Sequence, residues 1–186
     1  MAIQFAQFGQ QLQGQLAGKR HYARTCELLS QAKPGELVML DFQGVEVVTG
    51  SWLNAMIVPL YRWAADEQID LFPVLCNPRH DWLDDLRLVA EWTHQCFLVA
   101  NAKTTPRKAK LVGSLDPGQQ TTLEAVLGLR EVTGAELERE RPDESVKATA
   151  WNNRLKDLHN KRLLRRTRKG REQLYSPVVP EIEFNG

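Results

Sequence analysis

Apolar and polar positions along residues 1–100 alternate between helical and strand spacings. Over residues 18–31, Tyr22, Cys26 and Leu29 share one helical face, while Lys19, Arg20, Arg24 and Glu27 lie largely elsewhere. Pro34-Gly35 breaks that helix. Residues 37–40 (LVML) and 45–48 (VEVV) are short apolar runs around a Gln43-Gly44 turn, the pattern of buried strands. Ser51 is placed to cap the next helix. There Leu53, Met56, Ile57, Leu60 and Ala64 recur at three and four, and Pro59 should kink or weaken it. Residues 71–75 (LFPVL) are strand-like, with Pro73 pointing to a sheet edge. Residues 81–94 predict a strongly amphipathic helix. Trp82, Leu86, Val89 and Trp92 or Thr93 face inward; Asp84, Asp85, Arg87 and Glu91 face water. Residues 96–100 (CFLVA) close as a strand. This alternation predicts a small α/β layer sandwich over residues 1–100.

The second half has a different plan. Asp116-Pro117 opens a helix where the missing proline N–H is harmless, with Leu123, Val126 and Leu127 as its stripe. Thr133 and Glu136 make a Thr-x-x-Glu capping box for a second helix containing Leu137. Asp143 or Ser145 caps a third, running to about residue 160, with Ala148, Trp151, Leu155 and Leu158 as its core stripe. The opposite face shows Val146, Thr149, Ala150, Asn153, Lys156 and Asn160. Two strand-like runs around Lys169-Gly170 read as a hairpin. Three helices and a hairpin predict an α+β unit over residues 115–180. Residues 101–114 (NAKTTPRKAKLVGS) are basic, lack aromatics and show no clear period, so they read as a linker. Residues 181–186 read as a short tail.

Composition narrows the classes. At 42% hydrophobic the chain is too apolar for disorder, and 186 residues suit one ordinary domain or two small ones. No run of about 18 apolar residues predicts a spanning helix. The Gln-rich start lacks the basic patch and apolar run of a secretory signal. A cytoplasmic location without a membrane partner is expected. Cys26, Cys76 and Cys96 fit no zinc spacing, and His21, His80, His94 and His159 form no H-x-x-x-H pair, so reduced thiols and no metal are expected. No phosphate loop or nucleophile motif is present, and His80 is near Cys76 only along the chain. Asp84 and Asp85 are consecutive and cannot pair as acid and base. No catalytic residue, cofactor or enzymatic activity is expected.

The net charge of +1 conceals an asymmetry. Residues 1–100 hold 7 basic and 11 acidic side chains, whereas residues 144–175 hold 10 basic and 3 acidic. Such a division points to nucleic acid or another anionic partner.

Residues 37–64, LVMLDFQGVEVVTGSWLNAMIVPLYRWA, resemble the core of a STAS-like domain, the fold of anti-anti-sigma factors. Asp41, Phe42, Gly44, Val45, Val48 and Ser51 occupy the places of that family's central motif, and the likeness covers roughly residues 18–100. The resemblance implies a serine phosphorylated by a kinase partner, at Ser51 here. The family's Asp-Ser-Ser-Gly reads Thr49-Gly50-Ser51-Trp52 in this chain. Ser51 is therefore either a switch, its added charge meeting a helix N-terminus, or simply an N-cap.

Residues 115–178 resemble the winged helix-turn-helix domains of MarR- and ArsR-like bacterial regulators. Asn153, Arg154, Leu155, Leu158, Leu163, Leu164, Arg165, Arg166 and Tyr175 meet their pattern. The resemblance implies a third helix entering the DNA major groove. Thr149 and Asn153 would then reach base edges, with Val146 or Ala150 against a thymine methyl. Lys147, Arg154 and Lys156 would sit on phosphates, and wing residues Arg168, Lys169 and Arg171 on backbone or minor groove. Arg165 and Arg166 alternate on a strand, so at most one, Arg166 in this reading, need face DNA.

Two functions follow. One is a sequence-specific regulator of double-stranded DNA, a homodimer on half-sites about one turn apart, its STAS-like half dimerising or sensing a protein partner. The other is a partner-switching adaptor whose two halves both bind protein. Basic charge on the third helix and wing favours the first.

Overall fold

A computed structural model of the chain describes residues 1–142 and 146–184. In chain order its elements are β1 (Ala2–Gln4), β2 (Gln11–Leu12), α1 (Gln15–Leu29), β3 (Leu37–Asp41), β4 (Val47–Val48), α2 (Gly50–Ala64), β5 (Phe72–Cys76), α3 (Leu83–Thr93) and β6 (Phe97–Ala100). There follow β7 (Lys108–Val112), α4 (Pro117–Leu129), α5 (Gly134–Glu140), α6 (Ala148–Asn160), β8 (Leu164–Lys169), β9 (Glu172–Pro177) and β10 (Glu181–Phe184). The fold is mixed α/β, with six α-helices among the described residues and a mostly parallel central sheet.

That sheet is ordered β1-β3-β5-β6-β7-β10. Strands β1, β3, β5 and β6 run parallel, β7 runs antiparallel to β6, and β10 runs parallel to β7. Helices α1, α2 and α3 are the crossovers that parallel neighbours require. Strands β3, β5 and β6 read as continuous apolar runs because both their faces are covered. Val38, Leu40, Leu75, Phe97 and Val99 join Trp52, Leu53, Met56, Ile57 and Leu86 in the core under α1–α3. Their alternates Leu37, Met39, Phe72, Val74, Leu98 and Leu111 join Leu123, Val126, Trp151, Leu155 and Leu158 on the other side. The helices and hairpin after residue 115 therefore share a core with the sheet.

Several expectations are corrected. Residues 101–114 are not wholly a linker, because β7 lies within them. The tail contributes β10, whose Glu181 and Glu183 register against Lys108 and Lys110 of β7. Lys108 Nζ stands 2.6 Å from Glu183 Oε1. Pro73 does not mark an edge, since β5 lies between β3 and β6. The Phe72 N–H donates to the Glu36 carbonyl at 3.0 Å, so alternation turns Pro73 toward β6. There the ladder begins only at Leu75–Val99, no proline N–H is needed, and the Pro73 carbonyl accepts the Tyr61 hydroxyl at 2.9 Å. Pro59 is accommodated within an α2 that stays a single helix. Trp92 does not face inward: it is 76% exposed, one residue short of Thr93, where the Trp82–Leu86–Val89 stripe continues. The expected caps Asp143 and Ser145 lie outside the described residues.

Candidate nucleic-acid interface

Helices α4, α5 and α6 form as their sequences dictate. The Asp116 side chain caps α4 by accepting the Gln119 N–H at 2.8 Å, with Pro117 as first helical residue. Thr133 and Glu136 close a reciprocal capping box: the Glu136 N–H donates to Thr133 Oγ1 at 3.2 Å, and the Thr133 N–H to Glu136 Oε2 at 2.7 Å. That backbone donor holds the Glu136 carboxyl below the usual carboxylate range. The start of α6 is served from α5, where Glu138 Oε2 accepts the Ala148 N–H at 3.1 Å. Trp151, Leu155 and Leu158 turn into the core and leave Thr149, Asn152, Asn153 and Lys156 exposed.

The hairpin is set by the register Lys169↔Glu172, leaving a two-residue loop of Gly170 and Arg171. Gly170 has φ +64°, a conformation that favours glycine at the first loop position. The hairpin is anchored where Tyr175 and Val132 exchange both backbone hydrogen bonds, at 3.0 and 2.9 Å. Burial pushes the Tyr175 hydroxyl pKa up, and its ring is only 3% exposed.

Between the start of α5, the exposed face of α6 and the hairpin lies a cleft of ≈ 400 Å³. Asn153, Lys156, Arg166 and Arg171 all line it. Lys147 and Thr149 lie at the α6 N-terminus outside the cleft. The Lys147 ammonium is 3.7 Å from Glu138 and largely exposed. Arg168 and Lys169 are exposed near the hairpin loop, and the Arg168 Nε–H donates to the Gly170 carbonyl at 3.1 Å. Arg166 is less free than expected, standing 3.6 Å from Glu67 of the α2–β5 loop. Arg165 faces the sheet, its guanidinium 5.9 Å from the Phe72 ring centroid.

Arg154 departs from its expected place on phosphate. Its guanidinium lies 5.1 Å over the Trp151 ring and against Gly118 of α4, where an added Cβ would come within 2.9 Å of Cζ. It is packing between helices rather than a free cation. Asn152 and Gln173 also line the cleft and were missed. Gln173 was legible in principle, since hairpin alternation pairs it with Arg168.

Ser51 is not the N-cap of α2. Thr49 holds that position, and exposed Ser51 is the second helical residue, its Oγ 3.1 Å from Thr49 Oγ1. A carboxylate already serves this helix start: Asp85 Oδ2 accepts the Gly50 N–H at 3.0 Å. A phosphate on Ser51 would meet that charge. His80 and Cys76 do not form a pair. Cys76 is buried in the sheet, its thiol pushed up to about 12 chiefly by burial, while His80 is exposed. No group of three His, Cys, Asp or Glu among the described residues is placed to hold a metal. No helix among them is long and apolar enough to cross a membrane.

Comparison with protein-family models, curated proteins and solved structures found no match to this chain.

Proposed function

We propose that the chain is a sequence-specific regulator that reads double-stranded DNA with α6 and the β8–β9 hairpin, used as a winged helix-turn-helix. The observation that carries this reading is the cleft in which Asn153, Lys156, Arg166 and Arg171 converge from the helix and the hairpin. Asn153 offers the bidentate amide that pairs with adenine. Thr149, one turn earlier on the same face, is its neighbour at base level. Lys147, Lys156, Arg168, Lys169 and Arg171 supply phosphate contacts, which give affinity and no sequence information. The α1–α3 face of the sheet serves as a STAS-like half that brings copies or a protein partner together. Nothing in this function calls for a cofactor or catalysis, and it places the chain in the cytoplasm.

The test is selection of genomic fragments by the purified full chain at about 150 mM salt, where the Debye length is about 8 Å. Recovery of a few fragments sharing a repeated motif is the expected result. Recovery of none, or of DNA without sequence preference, overturns the reading in favour of a protein-binding adaptor.

A further inference from the structure

Charge is unevenly spread over the helical layer on the α1–α3 side. Of the 7 basic residues in residues 1–100, four (Lys19, Arg20, Arg24 and Arg62) lie on α1 and α2. Those two helices carry a single acid, Glu27, which is paired with Arg24 at 2.7 Å. Between them runs a groove of ≈ 410 Å³, with Ala55, Val58 and Pro59 as its floor and Tyr22, Lys19 and Arg62 along its rim. Lys19 and Arg62 are exposed and make no ion pair among the described residues. Pro59 has no N–H, so the Ala55 carbonyl in the floor lacks its usual helical donor.

The outer face of α3 is its complement. Trp92 is 76% exposed and Leu88, one turn before it, 46% exposed. They are flanked by exposed Glu91, which makes no ion pair among the described residues, and by Asp84, paired with Arg87. An exposed tryptophan is a common interface anchor, and the unpaired Glu91 beside it offers a charge to a basic rim. A groove with an apolar floor, unpaired cations on its rim and an acceptor at its base is what such an anchor needs.

We propose that the groove between α1 and α2 receives the Leu88–Trp92 face of α3 from a second copy of this chain. Trp92 enters against Ala55, Val58 and Pro59, and Glu91 pairs with Arg62 or Lys19. Groove and anchor are different surfaces of one protomer, so the contact is heterologous and chains copies head to tail. The inference goes beyond the DNA reading and does not rest on it.

Sedimentation velocity of the full chain over a concentration series, at low and high salt, tests the proposal. The wild type associates as concentration rises and does so less at high salt. Trp92→Ala alone, and Lys19→Glu with Arg62→Glu, each weaken association at least about tenfold. Mixed in equal amounts, these two variants form a species of two chains and no larger, since one retains the groove and the other the anchor. Should Trp92→Ala alter the melting temperature, Leu88→Ala probes the same face. A wild type that stays monomeric, association that survives either variant, or a mixture that stays monomeric while the wild type associates overturns the proposal.

Discussion

The Arg162 guanidinium, 1% exposed, donates to Asp70 Oδ1 at 2.8 Å, joining chain positions 92 residues apart. The same guanidinium nitrogen donates to the Ala64 carbonyl at 3.3 Å, and the group lies 4.8 Å from the Phe72 ring centroid. Arg162 follows α6, while Asp70 and Phe72 lie at the entrance to β5. The hairpin half is thus held to the sheet by a buried charge as well as by apolar packing. Asp70 itself has φ +44°, which asparagine also tolerates. Asp70→Asn therefore removes the charge without straining the backbone. It should destabilise the protein by about 3 kcal/mol, because Arg162 stays buried without its counter-ion. Urea unfolding measures this, and a loss near zero would show that water supports the guanidinium equally well.

His159 packs beside this pair and makes stability depend on pH. Its Nδ1–H donates to the Leu164 carbonyl at 3.0 Å, and its Nε2 stands 3.7 Å from Asp70 Oδ1. Burial, and then the Arg162 charge, lower its pKa from 6.5 to about 4. Between those values the unfolded chain holds the proton and the folded chain does not. Stability contributed by the neutral ring is complete above about pH 6.5 and falls as pH drops toward 4, by on the order of 3 kcal/mol. His159→Asn keeps a donor for Leu164 but cannot titrate. Its unfolding free energy should change less over this window than the wild type's, and parallel curves for the two proteins would reject the assignment.

Two of the elements that the sequence hid, β1 and β10, have partners far along the chain. Residues 108–112 (KAKLV) already alternate, with Ala109 and Leu111 buried, but a basic alternating strand needs an acidic neighbour. That neighbour, residues 181–184 (EIEF), lies beyond the helices and hairpin. Each segment alone is too short and polar to call; together they form a charged ladder. β1 was hidden for a similar reason, since only Ile3 of its three residues is buried. Capping chemistry is local, so Asp116, Thr133 and Glu136 were legible. The site was half legible. Helical period placed Thr149, Asn153 and Lys156 on an exposed face, but no period reveals that Arg154 lies against Gly118.

Asn153 and Arg154 are neighbours with opposite expected phenotypes. Asn153→Ala should cost about 1–3 kcal/mol on the specific site and little on random DNA, with stability unchanged. Arg154→Ala removes the cation over Trp151 and the packing on α4, so it should cost roughly 1 kcal/mol of folding stability. It should leave the salt dependence of DNA binding as in the wild type. Melting curves and binding titrations on both variants separate the roles. If Arg154→Ala flattens the salt dependence while stability holds, its guanidinium leaves Trp151 for a phosphate in the complex.

In the proposed DNA complex the hairpin would make a different kind of contact. Arg168 and Lys169 are exposed, and neither is tied to a carboxylate by an ion pair among the described residues. Their charges are therefore available to displace counter-ions from a duplex, at a salt slope of about 0.9 per phosphate neutralised. Arg168→Ala with Lys169→Ala should reduce the slope of log affinity against log salt by about 2, equally for specific and random DNA. Lys33→Ala, in the exposed turn between α1 and β3, is the control and should leave the slope alone. Because Gly170 sets the turn and Tyr175 anchors the hairpin to Val132, the double variant keeps its fold. An unchanged slope would then mean that Arg168 and Lys169 stay off the phosphates, and that affinity comes from α6 with the cleft residues Arg166 and Arg171.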